Sequence, residues 1–199
     1  MSTVQRTLRA AKQAVRKELR AKLNNLSDEE KARQSRVITE KLFSLDVYKN
    51  CQSLSLYMSM RSEVYTDDIL ADVFKTKKKC FIPHYIGDDM KMVLLKDQED
   101  YNNLPLTAWN IKQPANEEIR ECAIDSGTGL DVIIVPGLGF TKEGCRLGRG
   151  KGYYDGYFRK YEAKFQKKPI TIGLGYTCQI LDSIPVDEFD VQLNHVLFP

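Results

Sequence analysis

Apolar residues recur at helical spacing at the start of the chain. Leu8, Ala11, Val15, Leu19 and Leu23 fall three or four positions apart, which predicts an amphipathic helix over roughly the first two dozen residues, basic on its outer face. Asn24-Asn25 closes it. Ser27 followed by Glu30 reads as the capping box of a second helix, whose apolar stripe is Ala32, Val37, Ile38, Leu42 and Phe43. The period then changes. From Ser53 to Met58 apolar residues alternate with small or polar ones, as in a strand, and Ser59 to Val64 reads as a loop at its carboxyl end. Thr66 to Phe74 opens with a cap and two acids and predicts a helix, with the basic run Lys75 to Lys79 as its solvated exit. Cys80-Phe81-Ile82, within Lys79 to Pro83, and Met92 to Leu95 predict two further strands. Residues 95–129 are polar and proline-containing, which predicts a long, partly irregular connection.

Asp131 to Pro136 is a continuous aliphatic run without alternation, as expected of a parallel strand buried on both faces. Tyr153 to Phe165 predicts a helix, Pro169 to Leu174 a strand, and Val196 to Phe198 a last edge strand. Strands alternating with helices give an α/β fold with a mostly parallel sheet, and the length favours one domain over residues 1–199.

Composition narrows the function classes. Hydrophobic residues at 42% and charged residues at 29% are ordinary for a globular protein. The 30 basic and 27 acidic residues leave a net charge of only +3, so any anion site must come from local placement, and extended nucleic-acid binding is not expected. Cys51, Cys80, Cys122, Cys145 and Cys178 are odd in number and form no Cys-x-x-Cys pair; they read as free thiols in a reducing compartment. The amino terminus lacks the uninterrupted apolar core of a secretory signal, and no segment approaches a membrane span. A cytoplasmic location is the default expectation, and the basic, acid-poor start leaves organelle targeting as the alternative.

The chemistry concentrates between positions 137 and 156, which hold seven of the twelve glycines. Gly148, Gly150 and Gly152 let the backbone take positive φ and approach a ligand, while Arg146, Arg149 and Lys151 between them add charge-assisted donors. The loop joins a predicted strand to a predicted helix start, where free N–H groups and the helix dipole favour an anion. Two common nucleotide fingerprints fail here. A Walker A loop needs glycine where Cys145 stands and Ser or Thr where Gly152 stands; G-x-G-x-x-G needs glycine at Tyr153. Asp155 can hold a cation beside phosphates, since magnesium takes one or two protein carboxylates and leaves its other positions to phosphate and water. Alone, it reads equally as an acid matched to the helix dipole.

Arg146-Leu147-Gly148-Arg149-Gly150-Lys151-Gly152-Tyr153-Tyr154-Asp155 resembles the signature of the 5-formyltetrahydrofolate cyclo-ligase family, also called methenyltetrahydrofolate synthetases. The amino-terminal Lys12-x-x-x-Arg16, the stretch Tyr57 to Glu63, Trp109-Asn110, Pro136 to Phe140 and Pro185 to Asp190 follow in the family's order, so the resemblance spans nearly the whole chain. It implies a Rossmann-like α/β domain, expected as a monomer, that uses ATP and magnesium to convert 5-formyltetrahydrofolate into 5,10-methenyltetrahydrofolate, releasing ADP and phosphate.

By that resemblance Lys12, Arg16 and residues 146–154 (Arg146, Leu147, Gly148, Arg149, Gly150, Lys151, Gly152, Tyr153 and Tyr154) contact ATP, and Asp155 and Asp190 hold Mg2+. Met58, Glu63, Tyr85 and Trp109 line the folate site together with residues 149–153, and Arg149 and Lys151 carry the catalysis. Taken without it, Lys12 and Arg16 read as a solvated basic face, Glu63 as an exposed loop acid and Trp109 as core. Asn194 departs from the pattern, standing where the family often has a second Asp, and a structural role is expected for it. The rival readings are a non-catalytic nucleotide- or phosphosugar-sensing module on the same kind of sheet, and a sugar-phosphate isomerase, which needs a general base and no ATP.

Overall fold

The computed structural model describes residues 3–108, 110–127 and 129–199. The predicted first helix is present as α1, Thr3–Asn24, with Leu19 and Leu23 fully buried. It leads into α2, Asp28–Ser44, whose first turn is capped by the Ser27 hydroxyl, an acceptor for the Glu30 N–H. Only this half of the expected capping box forms, because the Glu30 carboxylate binds Arg33 and Gln34 instead. The inner face of α2 is more polar than its apolar stripe implies. Gln34, Ser35 and Thr39 are buried with Ile38 and Leu42, and Gln34 and Ser35 accept the backbone N–H groups of Thr177 and Tyr65. A short α3, Asp46–Asn50, follows.

Six strands build one sheet. They are β1 (Ser53–Ser55), β2 (Lys79–Ile86), β3 (Asp89–Leu95), β4 (Val132–Val135), β7 (Ile170–Leu174) and β8 (His195–Leu197), in the order β3-β2-β1-β4-β7-β8. Every pairing is parallel except β2 with β3. That pair is a hairpin turning at Gly87, which has φ +59°, so β2 runs three residues beyond the predicted Pro83. Helix α4, Asp67–Lys75, lies between β1 and β2. Thr66 precedes it but does not cap it; its hydroxyl donates to Tyr57 O. The basic exit is less solvated than expected, since Lys78 donates to Lys49 O and Cys51 O and Lys79 pairs with Glu121.

The connection from 95 to 129 is largely irregular, with one short helix α5, Gln98–Asn103. A two-stranded hairpin, β5 (Gly139–Phe140) with β6 (Arg146–Leu147), stands inside the glycine-rich segment. Helix α6, Tyr153–Phe165, begins and ends at the predicted residues.

Two layers of side chains bury the sheet. Leu19, Ile38, Leu42, Leu54, Ile69 and Ile134 belong to one cluster; Phe81, Ile133, Val135, Phe140, Tyr157 and Tyr161 belong to the other. The continuous aliphatic run of β4 feeds both, which explains its lack of alternation. At the tail, Asn194 Oδ1 accepts both the N–H and the hydroxyl of Thr171, each at 2.9 Å, and its own N–H donates back to Thr171. Asn194 therefore fastens β8 to β7, the structural role expected of it.

Candidate active site

The segment after β4 cannot run straight into α6. It first folds back through the β5–β6 hairpin, closed by Leu138 N–H to Leu147 O at 2.8 Å. It then crosses Gly148 to Gly152 to reach the helix. Gly150 has φ +110° and Gly152 φ +72°, conformations that a side chain would strain. Gly152 occupies the N-cap position of α6 and offers no side-chain acceptor to the first turn, so the helix dipole and free N–H groups face outward.

They face a cavity of about 880 Å³. Its wall is built by six separated parts of the chain: α1, the loop after β1, β2 through Pro83 and Tyr85, the 95–129 connection through Ile111, the glycine-rich segment from Pro136 with the start of α6, and the segment before β8. Lys12, Arg16, Met58, Glu63, Tyr85, residues 146–154, Asp155 and Asp190 all line it. Trp109 lies outside the described residues; Ile111, two positions on, lines the wall.

Contacts inside the cavity tie these parts together. Arg16 Nε donates to Gly148 O at 2.9 Å, holding α1 against the glycine loop. One turn earlier, Lys12 Nζ stands 2.7 Å from Asp187 Oδ2 and 2.5 Å from Asp190 Oδ2. Burial works against the Lys12 charge, but the two acids outweigh it and its pKa stands above the ordinary lysine value. Lys12 holds the Asp187 carboxyl below the usual range in turn. Arg146 is buried and pairs with Asp155 at 2.8 Å. Its Nε is buried with no partner, a spare donor in a site rich in cations.

At the other end, Glu63 is buried, accepts the Met60 N–H at 3.0 Å and pairs with Arg149 at 3.0 Å. Burial raises its pKa, with Arg149 opposing. The rings of Tyr85 and Tyr153 pack against each other at a tilt of 51°, with centroids 4.9 Å apart. Neither histidine lines the cavity.

The chemistry open to this arrangement follows from its groups. Arginines, a lysine and unpaired helix N–H groups suit a polyphosphate. The buried carboxylate between aromatic side chains suits a flat ring with N–H donors. Asp155 and Asp190 are neighbours, since the Val191 N–H donates to Asp155 Oδ1. Two carboxylates are a donor set of the kind magnesium takes when phosphate and water complete its shell; here Asp155 is paired with Arg146 and Asp190 with Lys12.

Comparison with known proteins assigns the chain. The family model described as the 5-formyltetrahydrofolate cyclo-ligase family matches residues 8–199. The chain belongs to this family. Among cyclo-ligases it is 45% identical over 194 residues to the 5-formyltetrahydrofolate cyclo-ligase of Mus musculus, covering 96% of this chain and 95% of the mouse protein. It is 31% identical over 208 residues to the mitochondrial 5-formyltetrahydrofolate cyclo-ligase of Arabidopsis thaliana, covering 94% of this chain and 74% of the plant protein. The NMR structure of Aquifex aeolicus 5,10-methenyltetrahydrofolate synthetase superposes with a TM-score of 0.76 at 30% identity, covering 94% of this chain and 88% of that one.

Three kinds of residue that line the cavity were not singled out from the sequence. Asp187 has a readable signal, an acid three positions before another. Gln5, Leu8 and Arg9 lie on the same face of α1 as Lys12, one and two turns away, and periodicity could have found them. Arg159 and Phe189 had no signal, because each is exposed and only the fold brings them together.

Proposed function

We propose that this protein catalyses the ATP-dependent cyclisation of 5-formyltetrahydrofolate to 5,10-methenyltetrahydrofolate, releasing ADP and phosphate. The observation that carries the reading is the wall of the cavity: cations of α1 and the glycine loop, the buried Glu63 and the pair Asp155 and Asp190 share a space of about 880 Å³. Pockets that hold one drug-sized ligand measure roughly 300–1,000 Å³, so this cavity lies toward the upper end of that range.

The formyl oxygen is a poor leaving group. It attacks the γ-phosphorus of ATP, ADP departs, and the oxygen becomes part of an imino-phosphate. The neighbouring folate nitrogen then attacks the formyl carbon and gives up its proton to solvent, the ring closes, and phosphate leaves with the oxygen, leaving the cationic methenyl product. Positioning and charge neutralisation dominate such transfers. Lys12, Arg16, Arg146 and the N–H groups from Gly148 to Tyr154 orient the phosphates. Arg149 and Lys151 neutralise charge on the transferred group as it passes from ADP to the formyl oxygen. Glu63 takes the N–H donors of the pterin, flanked by Met58, Tyr85, Tyr153 and, by the family resemblance, Trp109. Asp155 and Asp190 would hold magnesium, which when bound draws charge from the phosphate oxygens.

The reading includes a monomer acting on small molecules, without nucleic acid or membrane. No helix among the described residues is long and apolar enough to cross a membrane. All five cysteines are free, which supports a reducing compartment, here taken as the cytoplasm.

The test is direct. Purified protein mixed with 5-formyltetrahydrofolate and magnesium-ATP should develop the methenyl chromophore, and omission of ATP should abolish it. Folded protein that binds ATP without the absorbance change would sink the reading in favour of a nucleotide-sensing module.

A further inference from the structure

Glu63 is held at its backbone as well as at its carboxylate. The Tyr176 hydroxyl donates to Glu63 O at 2.6 Å. Tyr176 is fully buried in the turn after β7 and does not line the cavity. Burial keeps its pKa above the ordinary tyrosine value, so the hydroxyl stays a donor. Its one proton goes to Glu63 O. Ser35 Oγ, 3.4 Å from the same hydroxyl, is therefore the donor in that contact, and it also accepts the Tyr65 N–H.

One side chain fixes the turn itself. Gln179, 1% exposed, accepts the Tyr176 N–H at 2.8 Å and donates to Gly137 O at 2.8 Å and Leu138 O at 3.1 Å. Leu138 in turn closes the β5–β6 hairpin on Leu147, and two residues further on Arg149 meets the Glu63 carboxylate. These contacts form a ring. It leaves the Glu63 carbonyl, passes through Tyr176, Gln179 and the glycine-rich segment, and returns to the Glu63 carboxylate. Tyr57 holds the next carbonyl, Val64 O, but it belongs to the same stretch of chain as the loop. Tyr176 is the link that reaches the Glu63 carbonyl from the glycine side.

We infer that Tyr176 is a positioning residue for the folate substrate: through the Glu63 carbonyl it sets where the Glu63 carboxylate stands relative to Arg149. This rests on the reading of Glu63 as the group that takes the pterin N–H donors. Without the hydroxyl, the Glu63 carbonyl loses its donor, and the loop shifts toward water to regain one, because a polar group left buried and unpaired is costly. The carboxylate moves with it.

Calorimetric titration of the full chain with 5-formyltetrahydrofolate and, separately, with magnesium-ATP tests the assignment. Tyr176→Phe keeps the buried ring and removes only the hydroxyl. It should raise the folate Kd about fivefold, the typical worth of one hydrogen bond, and leave the ATP Kd unchanged. Added to Glu63→Ala, it should cost no further folate affinity, because no carboxylate is left to place. Asn194→Ala, which also removes a buried hydrogen-bonding group but at the sheet edge, should bind folate as the wild type does. An unchanged folate Kd in Tyr176→Phe overturns the inference. So does an equal loss for both ligands, a full fivefold loss in the Glu63→Ala background, or the same folate loss in Asn194→Ala, each of which makes Tyr176 a residue of general stability. If Glu63→Ala itself leaves the folate Kd unchanged, the reading of Glu63 falls and the inference falls with it.

Discussion

Arg149 Nη2 lies 3.0 Å from Glu63 Oε1, joining the glycine loop to the loop after β1 across 86 residues of chain. Glu63 is buried, and its carboxylate is held there by Arg149 and the Met60 N–H. Glu63→Gln keeps the shape but removes the charge. Hydrogen bonds to charged groups contribute about 1.5–3 kcal/mol, so folate affinity should fall roughly tenfold to a hundredfold while ATP affinity changes little, measured by titration with each ligand.

The same carboxylate sets a pH dependence. Burial raises the Glu63 pKa above the ordinary glutamate value, so the folded chain keeps this proton to a higher pH than the unfolded chain does. From the ordinary value up to the folded one, its contribution to stability falls as pH rises. Folate binding runs the other way, because the charged form that accepts the pterin N–H groups is lost as pH drops through the folded pKa. Folate Kd measured against pH should show this acid limb above the ordinary carboxylate range in wild type and lose it in Glu63→Gln.

Lys151 is exposed and makes no ion pair among the described residues, so its removal leaves no buried group unsatisfied. Lys151→Ala should lower kcat by about a hundredfold to a thousandfold, the typical effect of removing one transition-state donor. The Tm should stay within a degree or two of wild type. Near-normal turnover would refute its role on the transferred phosphoryl group.

Asp190 serves both Lys12 and the Asp187 N–H. Asp190→Asn weakens both contacts and removes one of the two carboxylates proposed for magnesium. The magnesium concentration for half-maximal turnover should rise severalfold or more in a titration at saturating ATP. An unchanged titration curve would mean that Asp190 acts only through Lys12.

Among the described residues, the hydrogen bonds of Asn194 go to Thr171 at the sheet edge. Asn194→Ala leaves the Thr171 N–H and hydroxyl without their acceptor, and about 1–3 kcal/mol of stability should be lost in denaturant unfolding. Turnover per folded molecule should not change.

The bounds of α6 and the place of β4 were legible because each has a local cause: glycine up to position 152, then a helix-forming run, and an aliphatic stretch too uniform for an exposed strand. The β2–β3 hairpin was not, because Gly87-Asp88 sits in a polar stretch that also reads as loop. The β5–β6 hairpin was hidden by glycines that serve a turn and a ligand loop alike. The polar inner face of α2 escaped periodicity, because Gln34 and Ser35 are buried to bind distant backbone groups. For the site, the glycine loop announced phosphate by its own composition. Lys12, Glu63 and Asp190 did not, since a lysine on a helix or an acid in a loop gains meaning only from its partner. Resemblance supplied those three; Asp187 had a local signal, an acid three positions before another, and Phe189 required the fold.

Lys12 and Asp190 are 178 residues apart, and their contact ties the first helix to the last segment before β8. A chain halted before residue 187 would hold nearly all of its sheet yet have nothing for Lys12 to grip. Closure of this corner of the cavity thus waits on residues 187–190, and contacts of such long sequence separation form late in folding. The same tie can be undone locally, because detachment of α1 is a smaller opening than unfolding of the sheet. Catalytic activity in this protein is therefore a stricter report of an intact chain than any spectroscopic measure of its sheet.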